Sequence, residues 1–309
     1  MSGEVVGGWI VPGRPQVLLQ PGANPGWQKL HESYGEVRRE IEALNPDLIL
    51  LYSTQWVSII GHQLQADPAP DWHLVDHDFH QLGTMHYKLR MDAAFAERYE
   101  AKAKARGLTA RTVAYRGFPI DTGSIVALSL LNPDNRFPAG IVSCNMYADR
   151  GETLVLGKAG RDAIDTSGKR VALVAVTALS NRMWTEWIEP EEDRIHSLKD
   201  DEWNRKLLEL LAEGRLEDVS QLARLFTQQA HADSKLKAIW WLASCMGSHN
   251  NYRGHVHAYE PVWGTGAALV SLIPSVDVTG GLEYDEDDVE VYRGDRNVLT
   301  SDQDAAGSD

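Results

Sequence analysis

Cysteine is nearly absent from this chain of 309 residues: Cys144 and Cys245 stand far apart, each in apolar surroundings. Neither a disulfide framework nor a thiolate metal cage can be built from them, and a reducing cytoplasm is the setting that suits them. No run of about 18 uninterrupted apolar residues occurs, so no membrane-spanning helix is expected. The opening Met1-Ser2-Gly3-Glu4 has no basic region before its apolar stretch and no small-residue cleavage site, so no secretion signal is read there. Positive charge is also short, with 30 Lys and Arg against 44 Asp and Glu. A basic face that could displace counterions from phosphates is therefore not expected, which argues against nucleic acid as a partner. The acidity is uneven. From Val276 to Asp309 there are 11 acidic residues and 2 arginines, so that stretch carries −9 of the formal −14. Its acid run and its Ser/Asp/Gly end predict a disordered tail over 276–309, beyond one folded domain over 1–275.

Several chemistries lack their signatures as well. Gly7-Gly8 and Gly264-Thr265-Gly266 complete neither GxGxxG nor a P-loop, and are read as points of close backbone approach. No GxSxG elbow exists for a hydrolase.

What is present is alternation of strand and helix patterns. Five β-branched apolar runs read as buried strands: Val5 to Val11, Leu48 to Ser53, Gly140 to Cys144, Val171 to Thr177 and Ala267 to Ile273. Between them, Trp27 to Leu44 carries Leu30, Tyr34, Val37, Ile41 and Leu44 at helical spacing and stops at Asn45-Pro46. Met91 to Arg106 and Lys158 to Thr166 also read as helices, and Asp201 to Ala212, Leu216 to Leu225 and Thr227 to Met246 make a helical last third. An α/β fold follows, with a central mixed sheet covered by helices on both faces. Trp203 and Trp240-Trp241 are expected in the core or at a subunit contact.

The 11 histidines raise the question of a metal. His73, Asp76, His77, Asp78 and His80 could hold one on a helix, but Pro68 and Pro70 make the segment from Asp67 to His80 read as a loop or short edge excursion. A second group, His249, His255 and His257, fits either ligands on one strand face or an exposed turn and edge.

Six segments in collinear order resemble the LigB-type class III extradiol ring-cleaving dioxygenases, above all the α subunits of the aminophenol-cleaving branch. They are Val11-Pro12-Gly13-Arg14-Pro15, Leu51-Tyr52-Ser53-Thr54-Gln55-Trp56, Gly117-Phe118-Pro119-Ile120-Asp121-Thr122-Gly123, Asp193-Arg194-Ile195, Asp201-Glu202-Trp203-Asn204-Arg205 and Gly264-Thr265-Gly266-Ala267-Ala268. The resemblance implies a LigB-like fold and, in catalytic members, Fe(II) held by two histidines and one carboxylate with open positions for the ring's two heteroatoms and O₂.

Carried over residue by residue, the resemblance implies a partly dismantled site. Gly13 stands where the family's first histidine belongs. His62 matches the second histidine and Asp233 the carboxylate, one methylene shorter than glutamate. Asn181, after Ser180, takes the place of the acid/base histidine and cannot carry a proton at neutral pH. Asp121 is a further position of the old pocket. The implied reading is an iron-free α subunit that binds no cofactor itself and stabilises a homologous catalytic β subunit, as an α2β2 assembly acting on 2-aminophenol or a related aromatic. Two alternatives stay open. One is an active Fe(II) enzyme using His62, Asp233 and a third histidine such as His77, His86 or His231. The other is a pseudoenzyme that binds a small aromatic molecule, with Arg14 supplying positive charge in place of the metal.

Overall fold

The computed structural model describes residues 2–183, 186–247 and 252–276. His249 and the acidic tail beyond Val276 lie outside the described residues. Among the described residues the strands are β1 (Glu4–Val11), β2 (Leu48–Ser58), β3 (His62–Gln65), β4 (Asp71–Val75), β5 (Thr84–Lys88), β6 (Ala110–Val113), β7 (Ala139–Asn145), β8 (Arg170–Val176), β9 (Tyr252–Val262) and β10 (Thr265–Pro274). The helices are α1 (Gln16–Leu19), α2 (Pro25–Leu44), α3 (Ala93–Ala105), α4 (Thr122–Leu131), α5 (Arg150–Asp165), α6 (Leu198–Ala212), α7 (Leu216–Gln229) and α8 (Lys237–Met246).

Eight of these strands form one sheet in the order β6-β3-β7-β2-β8-β1-β10-β9. The central run β7-β2-β8-β1 is parallel, and β10 and β9 close one side as an antiparallel hairpin. The five strands read from sequence are the five adjacent ones from β7 to β10. Alternate side chains divide between two cores. Tyr52, Val142, Leu173 and Ala175 face α3, α5, α6, α7 and α8, whereas Leu51, Ile141, Val174 and Val176 face α2 and α4. The expected α/β architecture with helices on both faces is what the chain adopts.

Of the two readings for Asp67 to His80, the short excursion holds in part, since Asp71–Val75 pairs antiparallel with β5 in a separate two-stranded sheet. One expectation needs correction. The helix expected over Thr227 to Met246 is broken. α7 ends at Gln229, and α8 starts only at Lys237. Between them Ala232 bridges to Ser180, and Ser234, Lys235 and Leu236 take φ of 45°, 60° and 58°. Neither Gly nor Pro marks that break.

Helix α2 follows its local signals closely. The Asn24 side chain accepts from the Gly26 and Trp27 amides, Pro25 occupies the first turn, and Asn45 ends the helix in the left-handed region. Its buried stripe includes Trp27, Leu30, Tyr34, Val37 and Ile41. Its other side holds the edge strand β9. The buried His257 ring lies 3.3 Å from Glu36 Oε2, 3.5 Å from Glu40 Oε1 and 3.2 Å from Ser271 Oγ. His255 contacts it edge-on, and Glu40 also accepts from Trp9 Nε1. The turn-like exposure considered for this pair does not hold for His257.

Burial opposes charge on His257, but the hydrogen bonds and charges of Glu40 and Glu36 outweigh it and hold the imidazole above its ordinary value. A raised folded-state value stabilises the fold below the unfolded value of about 6.5 and loses that contribution as pH rises through the folded value. The thermal midpoint of His257→Gln should therefore fall further below wild type at pH 6 than at pH 8.5. Equal gaps at the two pH values would contradict this.

Candidate functional site

The carboxyl ends of β1, β2 and β8 converge at one point of the sheet, where ligands of open α/β folds commonly bind. Strand β2 leaves its ladder there, with a register shift between Ser53 and Val57, and the bulge re-aims three side chains. Thr54 turns to Asp233, Gln55 toward the β1 turn, and Trp56 against Phe118.

Asp233 is the centre of this arrangement. Its Oδ2 accepts from Thr54 Oγ1 at 2.8 Å, Thr177 Oγ1 at 2.8 Å and the Ala178 amide at 3.1 Å. Its Oδ1 accepts from Asn181 Nδ2 at 3.0 Å. Backbone bonds fix both partners: Asp233 N donates to Leu179 O at 2.9 Å and Asn181 N to His231 O at 2.6 Å. The three consecutive left-handed residues after Asp233 cost about 1–2 kcal/mol each. The contacts of Asp233 and of Lys237, whose Nζ donates to the Asn145 and Met146 carbonyls, offset that strain.

The far end of the Asn181 amide completes a chain. Asn181 Oδ1 accepts from Arg14 Nη2 at 3.2 Å and from the Met183 amide at 2.8 Å. The Arg14 guanidinium lies over the Phe79 ring, 5.6 Å from its centroid. Burial lowers the Arg14 pKa, while Asp233, Asp76, Asp78 and Asp193 pull it back up. An arginine so placed stays charged. Phe79 sits on a loop that Asp76 ties down: its Oδ1 accepts from the Asp78 and Phe79 amides, and its Oδ2 from Thr122 Oγ1. Asp76 is therefore not the solvated residue expected of that segment, whereas His73, His77 and His80 are exposed.

Gly13 meets this site from the β1 side. A Cβ at residue 13 would lie 2.7 Å from Gln55 Nε2, 2.7 Å from the Gly123 Cα and 2.9 Å from Val176 Cγ1. Asp121 lies on the same side. Its carboxylate caps α4 by accepting from the Ser124 amide, accepts from Ser53 Oγ at 2.6 Å, and has its pKa raised by burial.

His62 is elsewhere. It is fully buried at the start of β3, with Nε2 3.0 Å from Glu152 Oε1 and Nδ1 without a partner. Strands β7 and β2 lie between β3 and β8, about 14 Å at ordinary strand spacing. His86 is exposed on β5 beside His73, His77 pairs with Asp78, and His231 pairs with Asp200. Among the described residues no group of three or more His, Cys, Asp or Glu is placed to hold a metal ion. Sequence reasoning missed Thr54, Gln55 and Thr177. Thr54 and Gln55 are marked by the polar Ser53-Thr54-Gln55 that breaks an otherwise apolar strand within a family-like segment, and Thr177 only by its place at the end of the run from Val171.

The family model described as the catalytic LigB subunit of aromatic ring-opening dioxygenase matches residues 12–270. This chain belongs to the LigB family. Among curated LigB-type relatives, the 2-aminophenol 1,6-dioxygenase alpha subunit of a Pseudomonas species is 31% identical, over 87% of this chain and 98% of its own length. The beta subunit of 2-aminophenol 1,6-dioxygenase from a Pseudomonas species is also 31% identical, over 87% of this chain and 94% of its own length. A 3,4-dihydroxyphenylacetate 2,3-dioxygenase of Escherichia coli is 20% identical over 78% of this chain and 88% of its own length. An uncharacterized protein of Escherichia coli K12 shares the fold alone, with TM-score 0.59 and 13% identity over 87% of this chain and 99% of that one.

The hairpin between β9 and β10 covers the site from above. Trp263 and Gly264 turn it with φ of 54° and 73°, a two-residue turn that a Trp adopts at a cost. Asp193, from another family-like segment, holds the turn by accepting from the Trp263 amide at 2.7 Å, the Gly264 amide at 2.9 Å and Trp27 Nε1 at 2.9 Å. Phe79 in turn meets Trp263 edge to face. Asp193→Ala should cost about 2 kcal/mol, because charged acceptors hold their donors strongly. Urea unfolding of the two proteins would read that loss, and an unchanged midpoint would refute it.

Proposed function

We propose that this LigB-family chain is the iron-free, α-type subunit of a two-subunit extradiol dioxygenase that opens the ring of 2-aminophenol or a related ortho-substituted aromatic. Its catalytic partner is a homologous β subunit, in an α2β2 assembly within the cytoplasm, and the chain contributes one LigB domain over residues 1–275. Percentage identity does not decide between the α and β roles, since both relatives stand at 31%. The side chains of the site support the α reading.

The observation that carries the reading is the state of Asp233. Both of its oxygens already accept hydrogen bonds from four donors fixed by the fold. Oδ2 is taken up by three of them, and Oδ1, though it keeps a lone pair, is turned to the Asn181 amide whose own oxygen accepts from Arg14. The family's ferrous iron further requires two imidazoles. Gly13 supplies none and has no room for one, while His62 faces Glu152. The residues present therefore do not fit the group. Asn181 in the acid/base position donates to Asp233 and accepts from Arg14, and an amide moves no proton in this pH range. The engagement of Arg14 also weighs against an aromatic anion as ligand: its guanidinium donates to Asn181 and lies over the Phe79 ring, with the charges of nearby carboxylates already acting on it.

Co-expression with a tagged β-type homologue tests the reading. The two chains should co-purify in equal amounts, with ring cleavage and iron following the β chain, and β alone should be less stable. Ring opening of 2-aminophenol by this chain alone would refute it.

A further inference from the structure

We infer that the Arg14 guanidinium is a tethered stand-in for the metal ion of the LigB family, a built-in cation that balances Asp233 through the Asn181 amide and anchors the Asp76–Phe79 loop. The inference rests on the iron-free reading and goes past it. It makes the site a rebuilt electrostatic joint of the fold, and not a pocket in decay.

Three observations lead here. First, the amide of Asn181 is directional. Its Nδ2 donates to the carboxylate of Asp233, and its Oδ1 accepts from the guanidinium of Arg14, so charge of opposite sign stands at the two ends of one polarised group. Second, the surroundings of Arg14 are anionic. Asp233, Asp76, Asp78 and Asp193 all act on it. Asp233 is buried and Asp76 and Asp193 are half-buried, while Asp78 is exposed; carboxylates held so near one point need a cation, which in catalytic relatives of this fold is a metal and here is a side chain. Third, the cation joins separate elements. Arg14 follows β1, Asn181 follows β8, Asp233 precedes α8, and Phe79, whose ring Arg14 covers, belongs to the loop that Asp76 ties to Thr122 on α4. One charged group thus connects the turn of the first strand with both faces of the sheet, as a metal ion bound at strand ends would.

A double-mutant cycle tests the coupling directly. Arg14→Met keeps the apolar length and removes the charge. Asp233→Asn keeps the shape but gives Asn181 a second donor to face. Each single change leaves the opposite member without its counterpart, so each should lower the thermal midpoint of the full chain by several degrees. The double variant should sit well above the sum of the two losses, since the uncompensated charge is gone and the Asn181 amide is free to turn. Arg14→Lys should retain most of the wild-type midpoint, because charge and not the shape of the guanidinium is what the site needs. Additive losses within about 1 °C, or Arg14→Lys no better than Arg14→Met, would overturn the inference. If Asp233→Asn does not fold, the Arg14→Met/Asn181→Ala cycle reads the same coupling one link along the chain, with the same expected and contrary outcomes. Iron content of the wild-type chain after anaerobic incubation with Fe(II) separates the two levels. Stoichiometric iron would sink the iron-free reading, while additive cycles with no iron would sink only the stand-in role.

Discussion

Asp233→Ala should destabilise the chain by about 4 kcal/mol, near the upper end of what single substitutions do. Truncation removes the shared acceptor of Thr54, Thr177, the Ala178 amide and Asn181 at one stroke. The two hydroxyls can rotate to other carbonyls, but the Ala178 amide and the Asn181 amide stay fixed, and a buried donor left without its acceptor costs about 1–3 kcal/mol. Arg14, linked to Asp233 through Asn181, loses one of the charges that balance it at the same time. Release of strain in Ser234, Lys235 and Leu236 returns part of this. A disused metal ligand left in solvent would behave differently, since such a change would stay within about 0.5 kcal/mol. Urea unfolding of the two proteins distinguishes the cases, and a loss under 1 kcal/mol would show that Asp233 does not hold the site together.

Placing a histidine at residue 13 should make the protein worse. In Gly13→His the new Cβ alone would meet the Gly123 backbone and Gln55 at 2.7 Å, before any ring atom is placed. Gln55 can swing aside, but the Gly123 Cα begins α4 and cannot. Overpacking of this kind costs about 1–3 kcal/mol and more when backbone must move. For a chain of this size each kcal/mol lowers the midpoint by roughly 2–4 °C. Gly13→His should therefore lose about 5–10 °C and gain no iron. The small residue at 123 makes the same point from the other side: its own Cβ would lie 3.1 Å from the Gln55 side chain and 3.0 Å from Val176. Gln55 and Val176 pack closely against both glycines. A Gly13→His chain of unchanged midpoint that took up iron would show that the closure is only loose.

How much of this was legible in the sequence follows from burial. Strands β7, β2, β8, β1 and β10 are covered on both faces, so each reads as an unbroken apolar run. The outer strands β3, β6 and β9 carry residues such as His62, Gln63, Arg111, Arg253 and His255, whose polar side chains erase the pattern at the sheet's edges. Helix α4 was invisible for the opposite reason. Its residues Gly123 to Leu128 are all buried, so no polar stripe marks its period.

The site was half legible. Gly13, Asn181 and Asp233 could be placed by collinearity with the family, and the fold brings the last two within hydrogen-bond distance. What collinearity could not supply was their company. Thr54 and Thr177 reach Asp233 only because β2 bulges and β8 ends beside the broken helix. Arg14 reaches Asn181 across 167 residues of chain. The break before α8 depends on that tertiary contact and has no Gly or Pro to announce it.

Iron content of the purified chain, expressed without a partner and incubated with Fe(II) under anaerobic conditions, tests the central claim most directly. Less than about 0.1 iron per chain after desalting is expected, since the described residues hold no three-ligand set to retain the ion. Retention of one iron per chain, lost in Asp233→Asn or in His62→Ala, would contradict it.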